Sequence, residues 1–341
     1  MSLIYIRPAL AGAISTILGL AALLQPIGHA HADALTLCGN PGTAPVPIEH
    51  VLVVVLENKS YGQVMGQSAY PTSNMLASTC GAGTKAFGAT HTSAANYLAI
   101  ASGTVSHFGG CGTVTACSST GQTNLFSQID SVGLTWKSYE ESMPVPCGQS
   151  STGNTYKIGH NPALFYKLPD CKANDIPVAD LTASTGAFAS DLADQTLPSF
   201  GFVTPNLLDD GEGPGGYSAA DRWLGKFVAL VQSSASYQAG NTVLIVTNDE
   251  GTGSDSARAE DCTNQARDLA GHQESCHVPF FVVYPWAGGK DSTFFDHYSV
   301  TRTVQDLLGL QPMAGSVTAP TLVGHFGLAL PGPSPTPTPS S

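Results

Sequence analysis

Two short apolar runs, far apart in the chain, each close on acidic residues, and this pairing restricts the fold more than any other feature. The first, His50 to Leu56, is followed by Glu57 and Asn58. The second, Thr242 to Thr247, is followed by Asn248, Asp249 and Glu250. Unbroken runs of β-branched and aliphatic residues at this length suit strands buried on both faces of a parallel sheet. In an open α/β sheet, ligands bind outside the carboxyl ends of the strands. If the two strands lie near each other, the carboxylates of Glu57, Asp249 and Glu250 meet the Asn58 amide oxygen there. So much buried negative charge repels itself unless it is compensated, and a hard divalent cation is the natural occupant.

The start of the chain has a different character. Arg7 gives a small positive region, Ala9 to Leu24 is apolar, and Pro26 and Gly28 break the run. Ala30, His31 and Ala32 then have the small-x-small form of a signal-peptidase site. The apolar stretch is at or below the ~18–20 residues that a membrane span needs. The expected division is therefore an export signal over 1–32, a single folded domain over 33–330 and a Pro/Ser/Thr-rich tail over 331–341. One domain is favoured because the proposed ligands come from both ends of the chain. The tail cannot pack a core and is expected to be extended, with surface association as a role it would suit. Loss of Arg7 with the leader takes the net charge from −12 to −13. That acidic balance argues against a broad nucleic-acid surface.

All eight cysteines follow the leader, and an even count in an exported chain favours disulfides. Cys111/Cys117, Cys147/Cys171 and Cys262/Cys276 are the local pairs, which leaves Cys38/Cys80; sequence alone does not fix the connectivity. No C-x-x-C pair is present, so a zinc site on these thiols is disfavoured.

Between the two acidic strands, Ala89 to Gly103 runs from small residues into an apolar period near 3.6, the pattern of a loop entering a helix. Ser93 then faces the unpaired amides of a helix start, which favour an anion. Two readings stand side by side. Ser93 is a metal-activated nucleophile aimed at phosphate, or Thr92 or Ser93 is simply an N-cap.

Resemblance separates them. Ile48 to Tyr61 resembles the opening block of the bacterial phosphoesterase family, which holds secreted acid phosphatases and non-specific phospholipases C of the alkaline-phosphatase superfamily. Ser93 to Ala99 resembles the block that carries the family's nucleophilic serine. Leu125 to Pro144, Tyr156 to Pro162, Phe202 to Asn206, Val246 to Gly251 and Asp296 to Leu310 resemble further blocks in family order. The resemblance implies an α/β, alkaline-phosphatase-like fold, an open and mainly parallel sheet flanked by helices. It implies metal ligation by Glu57, Asn58, Asp249 and Glu250, with Ser93 as nucleophile completing the shell. Asn96 would orient the phosphoryl oxygens, His160 would contact phosphate and protonate the leaving group, and His297 would act at or beside the metal. Taken in isolation, His160 reads as an exposed loop histidine and His297 as a helix-start contact.

The chain departs from the family pattern at three places. Glu212 stands where the family has a phosphate-contacting histidine, and His91-Thr92 replaces His-Pro. Thr252 to His277 is an insertion holding Cys262, Cys276, His272 and His277, expected to form a disulfide-closed loop over the mouth of the site. His272 or His277 is the expected substitute for the missing histidine.

The expected function is a secreted, metal-dependent phosphoesterase acting on phosphomonoesters through a phosphoserine intermediate, in the manner of acid phosphatases and with phosphoinositides among its substrates. One alternative is a phospholipase C acting on phospholipid head groups, whose apolar rim would come from the insertion or from Phe280 to Trp286. The other is a non-catalytic exported surface protein, for which Glu212 is the best support. Oxygen ligands suit Ca²⁺, Mg²⁺ or Mn²⁺, with zinc and iron also open. The partner is a phosphate-ester small molecule or a phospholipid head group.

Overall fold

Side chains of the first apolar run alternate between two cores. Val51, Val53 and Val55 pack into one and Leu52, Val54 and Leu56 into the other, all fully buried. Burial of each is worth roughly 1.5–3 kcal/mol, and a strand with no polar face is stable only inside a sheet covered on both sides. The computed structural model describes residues 37–105, 121–252, 262 and 275–331. In it this run is strand β1 (His50–Leu56).

The other strands are β2 (Gly81–Phe87), β3 (Trp136–Glu141), β4 (Asp175–Val178), β5 (Phe200–Thr204), β6 (Thr242–Asn248), β7 (Phe280–Val283) and β8 (Gly289–Asp296). They form one sheet in the order β4-β3-β5-β1-β6-β7-β2-β8. β1 lies parallel between β5 and β6, and β3/β4, β3/β5 and β2/β8 are also parallel; β7 runs against both β6 and β2. The expected open, mainly parallel α/β sheet is what is observed.

Helices cover both faces. α2 (Ser93–Ser102), α3 (Leu125–Ser131) and α6 (His297–Leu308) pack Tyr97, Leu98, Ile129, Val300 and Val304 onto the Val53 side. α1 (Pro71–Thr79), α4 (Ala187–Ala193) and α5 (Gly216–Gln232) pack Leu76, Phe188, Trp223 and Phe227 onto the Val54 side. α6 starts where it does because the Asp296 carboxylate accepts from Ser299 N at 2.9 Å, closing a capping box.

Disulfides join Cys38 to Cys80, Cys147 to Cys171 and Cys262 to Cys276, as expected. The leader, the Cys111/Cys117 pair and the tail from residue 332 onward lie outside the described residues. No described helix is long and apolar enough to cross a membrane.

Candidate active site

Leu56 and Asn248 are register partners at the ends of β1 and β6, so Glu57 and Asp249 emerge side by side. Asn58 then turns back at φ +48°, a left-handed conformation that asparagine tolerates better than most residues. The turn brings its amide N–H to Asp249 Oδ1 at 3.0 Å, while its side-chain amide donates to Glu57 Oε2 at 2.9 Å. Ser93 Oγ donates to the same Glu57 oxygen at 3.0 Å.

Ser93 reaches that position because α2 begins abruptly. Thr92 has φ +94° and its side chain makes no capping bond. For a β-branched residue such a backbone costs on the order of 1–3 kcal/mol and must be held by its surroundings. Glu250 holds it. One carboxylate oxygen, Oε2, accepts from Thr92 N at 3.2 Å and from His91 Nδ1 at 2.7 Å. His91 is backed in turn by Ser275 Oγ at 3.3 Å and by the Cys262 and Cys276 sulfurs at 3.6 and 3.7 Å from Nε2. Neither Thr92 nor Ser93 therefore acts as a side-chain N-cap. Glu250, expected as a metal ligand, has one oxygen committed to bracing the serine loop.

A further carboxylate comes from the loop after β5. Gly211 sits at φ +114°, and a Cβ there would meet the Glu57 carbonyl oxygen at 2.8 Å, so only glycine allows this approach. It delivers Asp210, fully buried, with Oδ1 accepting from Glu212 N at 2.7 Å and Oδ2 3.6 Å from His160 Nδ1. His160 is a buried residue, not the exposed loop histidine of the isolated reading. It stacks on Tyr97 with ring centroids 5.0 Å apart, and its Nε2 lies 3.3 Å from Glu57 Oε1 and 3.7 Å from Glu212 Oε2. Lys157 grips both oxygens of Glu212 at 2.9 and 2.8 Å.

Asn96 and His297 are placed differently from the expected substrate contacts. Asn96 Oδ1 accepts from Ala89 N and Thr90 N, each at 3.0 Å, and its Nδ2 donates to the Thr90 carbonyl at 2.8 Å. His297 Nε2 donates to the Asn248 carbonyl at 3.0 Å, and Nδ1 lies 3.1 Å from Asn96 Oδ1. Burial pushes the His297 pKa down to about 4. Both side chains fix the loop ahead of Ser93. His277 does not replace the family histidine: it stacks between Tyr61 and Phe87 and faces the Thr84 carbonyl. His272 lies outside the described residues.

Glu57 Oε1, Asp249 Oδ2, Asp210 Oδ2 and His160 Nε2 are all buried without a hydrogen-bond partner. Burial, then the charges of Asp249 and Asp210, hold Glu57 well above the usual carboxylate range. Burial and then Glu250 push Asp249 up to about 8. Burial lowers the His160 pKa from its ordinary value. The unpartnered, mutually repelling carboxylates of Glu57 and Asp249, with the Asn58 amide beside them, fit a hard cation. Asp210 was missed in sequence and adds to the same charge.

Residues 67–311 match the phosphoesterase family. The chain belongs to that family. This phosphoesterase is 25% identical over 294 residues to a phosphatidylinositol-3-phosphatase of Mycobacterium tuberculosis, covering 86% of this chain and 88% of that one. It is 24% identical to a probable acid phosphatase of Kluyveromyces lactis over 74% of its own length and 56% of the relative's. Its fold is shared with the lipoteichoic acid synthase LtaP of Listeria monocytogenes, with a TM-score of 0.54 at 13% identity over 82% of this chain and 78% of that one. Membership of the family, with relatives named as phosphatases, makes the chain a hydrolase of phosphoric esters.

Proposed function

We propose that the chain is an exported, metal-dependent phosphomonoesterase that works through a phosphoserine on Ser93. The observation that carries this reading is the Ser93 hydroxyl, 3.0 Å from Glu57 Oε2 at the edge of a cluster of unpartnered carboxylate oxygens. A cation held by Glu57, Asp249 and Asn58 would supply charge neutralisation on the phosphoryl group and a lowered pKa for the adjacent hydroxyl. The braced loop from His91 to Thr92 fixes Ser93 Oγ for in-line attack on phosphorus. Ser93 Oγ gives its proton to Glu57 Oε2, to which it already donates at 3.0 Å. The new Oγ–P bond forms as the ester O–P bond breaks, and the departing alcohol takes a proton from His160, whose Nε2 lies 3.3 Å from Glu57 Oε1. Burial lowers the His160 pKa, so its proton-donating form belongs to acid pH. Water then cleaves the phosphoserine and frees Ser93 and phosphate. Asn96 and His297 act as positioning groups for the serine loop.

The names of the relatives support a monoesterase, acid phosphatases and a phosphatidylinositol-3-phosphatase among them. A phospholipase C needs an apolar rim, and in one proposed rim, Phe280 to Trp286, the first four residues form strand β7 and are buried together with Tyr284, leaving only Trp286 partly exposed. The export leader and the disulfides support a location outside the cytoplasm.

Ser93→Ala tests the reading. Turnover of phosphomonoesters should fall by roughly 10⁴-fold or more, the usual cost of losing a covalent nucleophile. Acid quench of wild type during turnover should leave phosphate on the peptide containing Ser93, and none in the variant. Near-normal turnover by Ser93→Ala would remove the mechanism.

A further inference from the structure

Lys157 and Glu212 line a cavity of about 570 Å³ that also touches Ser151, Asn154 and Leu207, and Glu212 reaches from it toward His160. That volume falls in the range of small-molecule sites, roughly 300–1,000 Å³. We propose that this cavity receives the alcohol half of the ester and selects a neutral polyhydroxy alcohol over a cationic amino alcohol. The proposal rests on the phosphomonoesterase reading and goes beyond it by naming the subsite and the leaving-group chemistry.

Position comes first. Glu212 Oε2 is 3.7 Å from His160 Nε2, the group that faces the leaving oxygen. Glu212 is thus the residue shared between the His160 side of the site and the cavity, and an alcohol departing on that side would meet the cavity past it. The wall is also well fixed. Leu207 N donates to the Thr155 carbonyl at 2.8 Å, tying the loop after β5 to the turn that carries Lys157. A Cβ on Gly213 would meet the Leu207 carbonyl oxygen at 1.8 Å, so the loop closes on itself only with glycine there.

Charge decides the class of alcohol. A quaternary or primary ammonium is recognised by an unpaired carboxylate or by an open aromatic face. Glu212 is the carboxylate of the wall, and Lys157 already neutralises it through both oxygens. Tyr156, the aromatic residue of the wall, is 3% exposed and its hydroxyl donates to the Gly148 carbonyl. What remains for a ligand is hydroxyl and amide chemistry. Ser151 Oγ accepts from Ile158 N at 3.1 Å and keeps its own proton to donate, and Asn154 offers an exposed amide. These groups suit the hydroxyls of a sugar-like or inositol-like alcohol.

The experiment compares kcat/KM for inositol monophosphate, phosphocholine and ethyl phosphate in wild type, Lys157→Met and the double variant Lys157→Met with Glu212→Gln. Wild type should favour inositol monophosphate over phosphocholine by about tenfold or more, the low end of what pocket contacts discriminate. Lys157→Met bares the Glu212 charge, so the ratio should move by about tenfold toward phosphocholine, and the double variant should move it back. If ethyl phosphate is hydrolysed but the ratio is the same in all three proteins, the subsite is overturned and the phosphomonoesterase reading stands. If wild type hydrolyses none of the three esters, that reading fails and takes the subsite with it.

Discussion

Buried carboxylates gather at the strand ends in two places, and the two groups are neutralised by different means. Beside β3 and β4, Glu140 Oε1 accepts from Ser138 Oγ at 2.7 Å and Thr204 Oγ1 at 3.2 Å, while Asn161 Nδ2 donates to both oxygens of Asp175 at 3.0 Å. Glu141 takes the backbone N–H groups of Asn206 and Leu181 at 3.0 and 2.9 Å. Burial, then Asp175, raises Glu140 well above the usual range, and burial carries Asp175 and Glu141 to about 7. A proton on this group balances the one Glu140 oxygen left without a partner. At the ends of β1 and β6, Glu57 and Asp249 are likewise buried and held above the usual carboxylate range. There Glu57, Asp249 and Asp210 each keep one oxygen without a partner, and Glu57 also faces a serine hydroxyl. Burial and a raised pKa are therefore common to a structural cluster and to the cluster proposed as catalytic. The distinction lies in whether the protein's own donors occupy the carboxylates or leave them open next to a nucleophile.

The largest expected effect separates the two clusters directly. Asp249→Asn keeps the shape and removes the charge, so bound metal measured by elemental analysis should be lost and turnover should fall beyond about 10³-fold. Glu140→Gln should keep its metal. Loss of metal from both variants, or from neither, would break the comparison.

The brace on the serine loop gives the next effect. His91→Ala removes the donor that fixes Glu250, and groups of this kind typically cost 10–100-fold in activity or metal affinity. His91→Asn, with an amide able to donate to Glu250, should recover part of the loss, and the deficit should appear in kcat more than in KM. Equal activity in wild type and His91→Ala would show that Thr92 holds its strained backbone without help.

Local pattern made some of this legible in the sequence and tertiary geometry hid the rest. His50 to Leu56 and Thr242 to Thr247 read as buried strands because an unbroken β-branched run has no polar face to expose. The adjacency of Glu57 and Asp249 followed from those strands being neighbours, which the register bears out. Asp210 was not legible, because nothing local distinguishes it from Asp209 beside it. Its burial depends on Gly211 turning the loop against the Glu57 backbone. The Glu250 brace depends on His91, far away in the chain, arriving opposite it. Asn96 was assigned to phosphate from its place in a motif, whereas the fold uses its amide to build the loop that presents Ser93.

The smallest effect tests whether a proton neutralises the cluster beside β3. Asp175 and Glu141 have folded pKa values of about 7, above the roughly 4 expected for an unfolded carboxyl. A raised folded pKa means that their contribution to stability is fully present below about pH 4 and is lost as pH rises through about 7. Glu140→Gln removes one ionisation from this group and keeps a hydrogen-bonding side chain. Its melting temperature relative to wild type should therefore climb between pH 5 and pH 8, by a few degrees at about 2–4 °C per kcal/mol. The change should persist with a chelator or with added divalent cation, because this cluster takes a proton and not a metal. A difference that stays constant across that pH range would show that the cluster remains ionised when buried. Chelation that abolished the pH effect would assign the cation to both clusters.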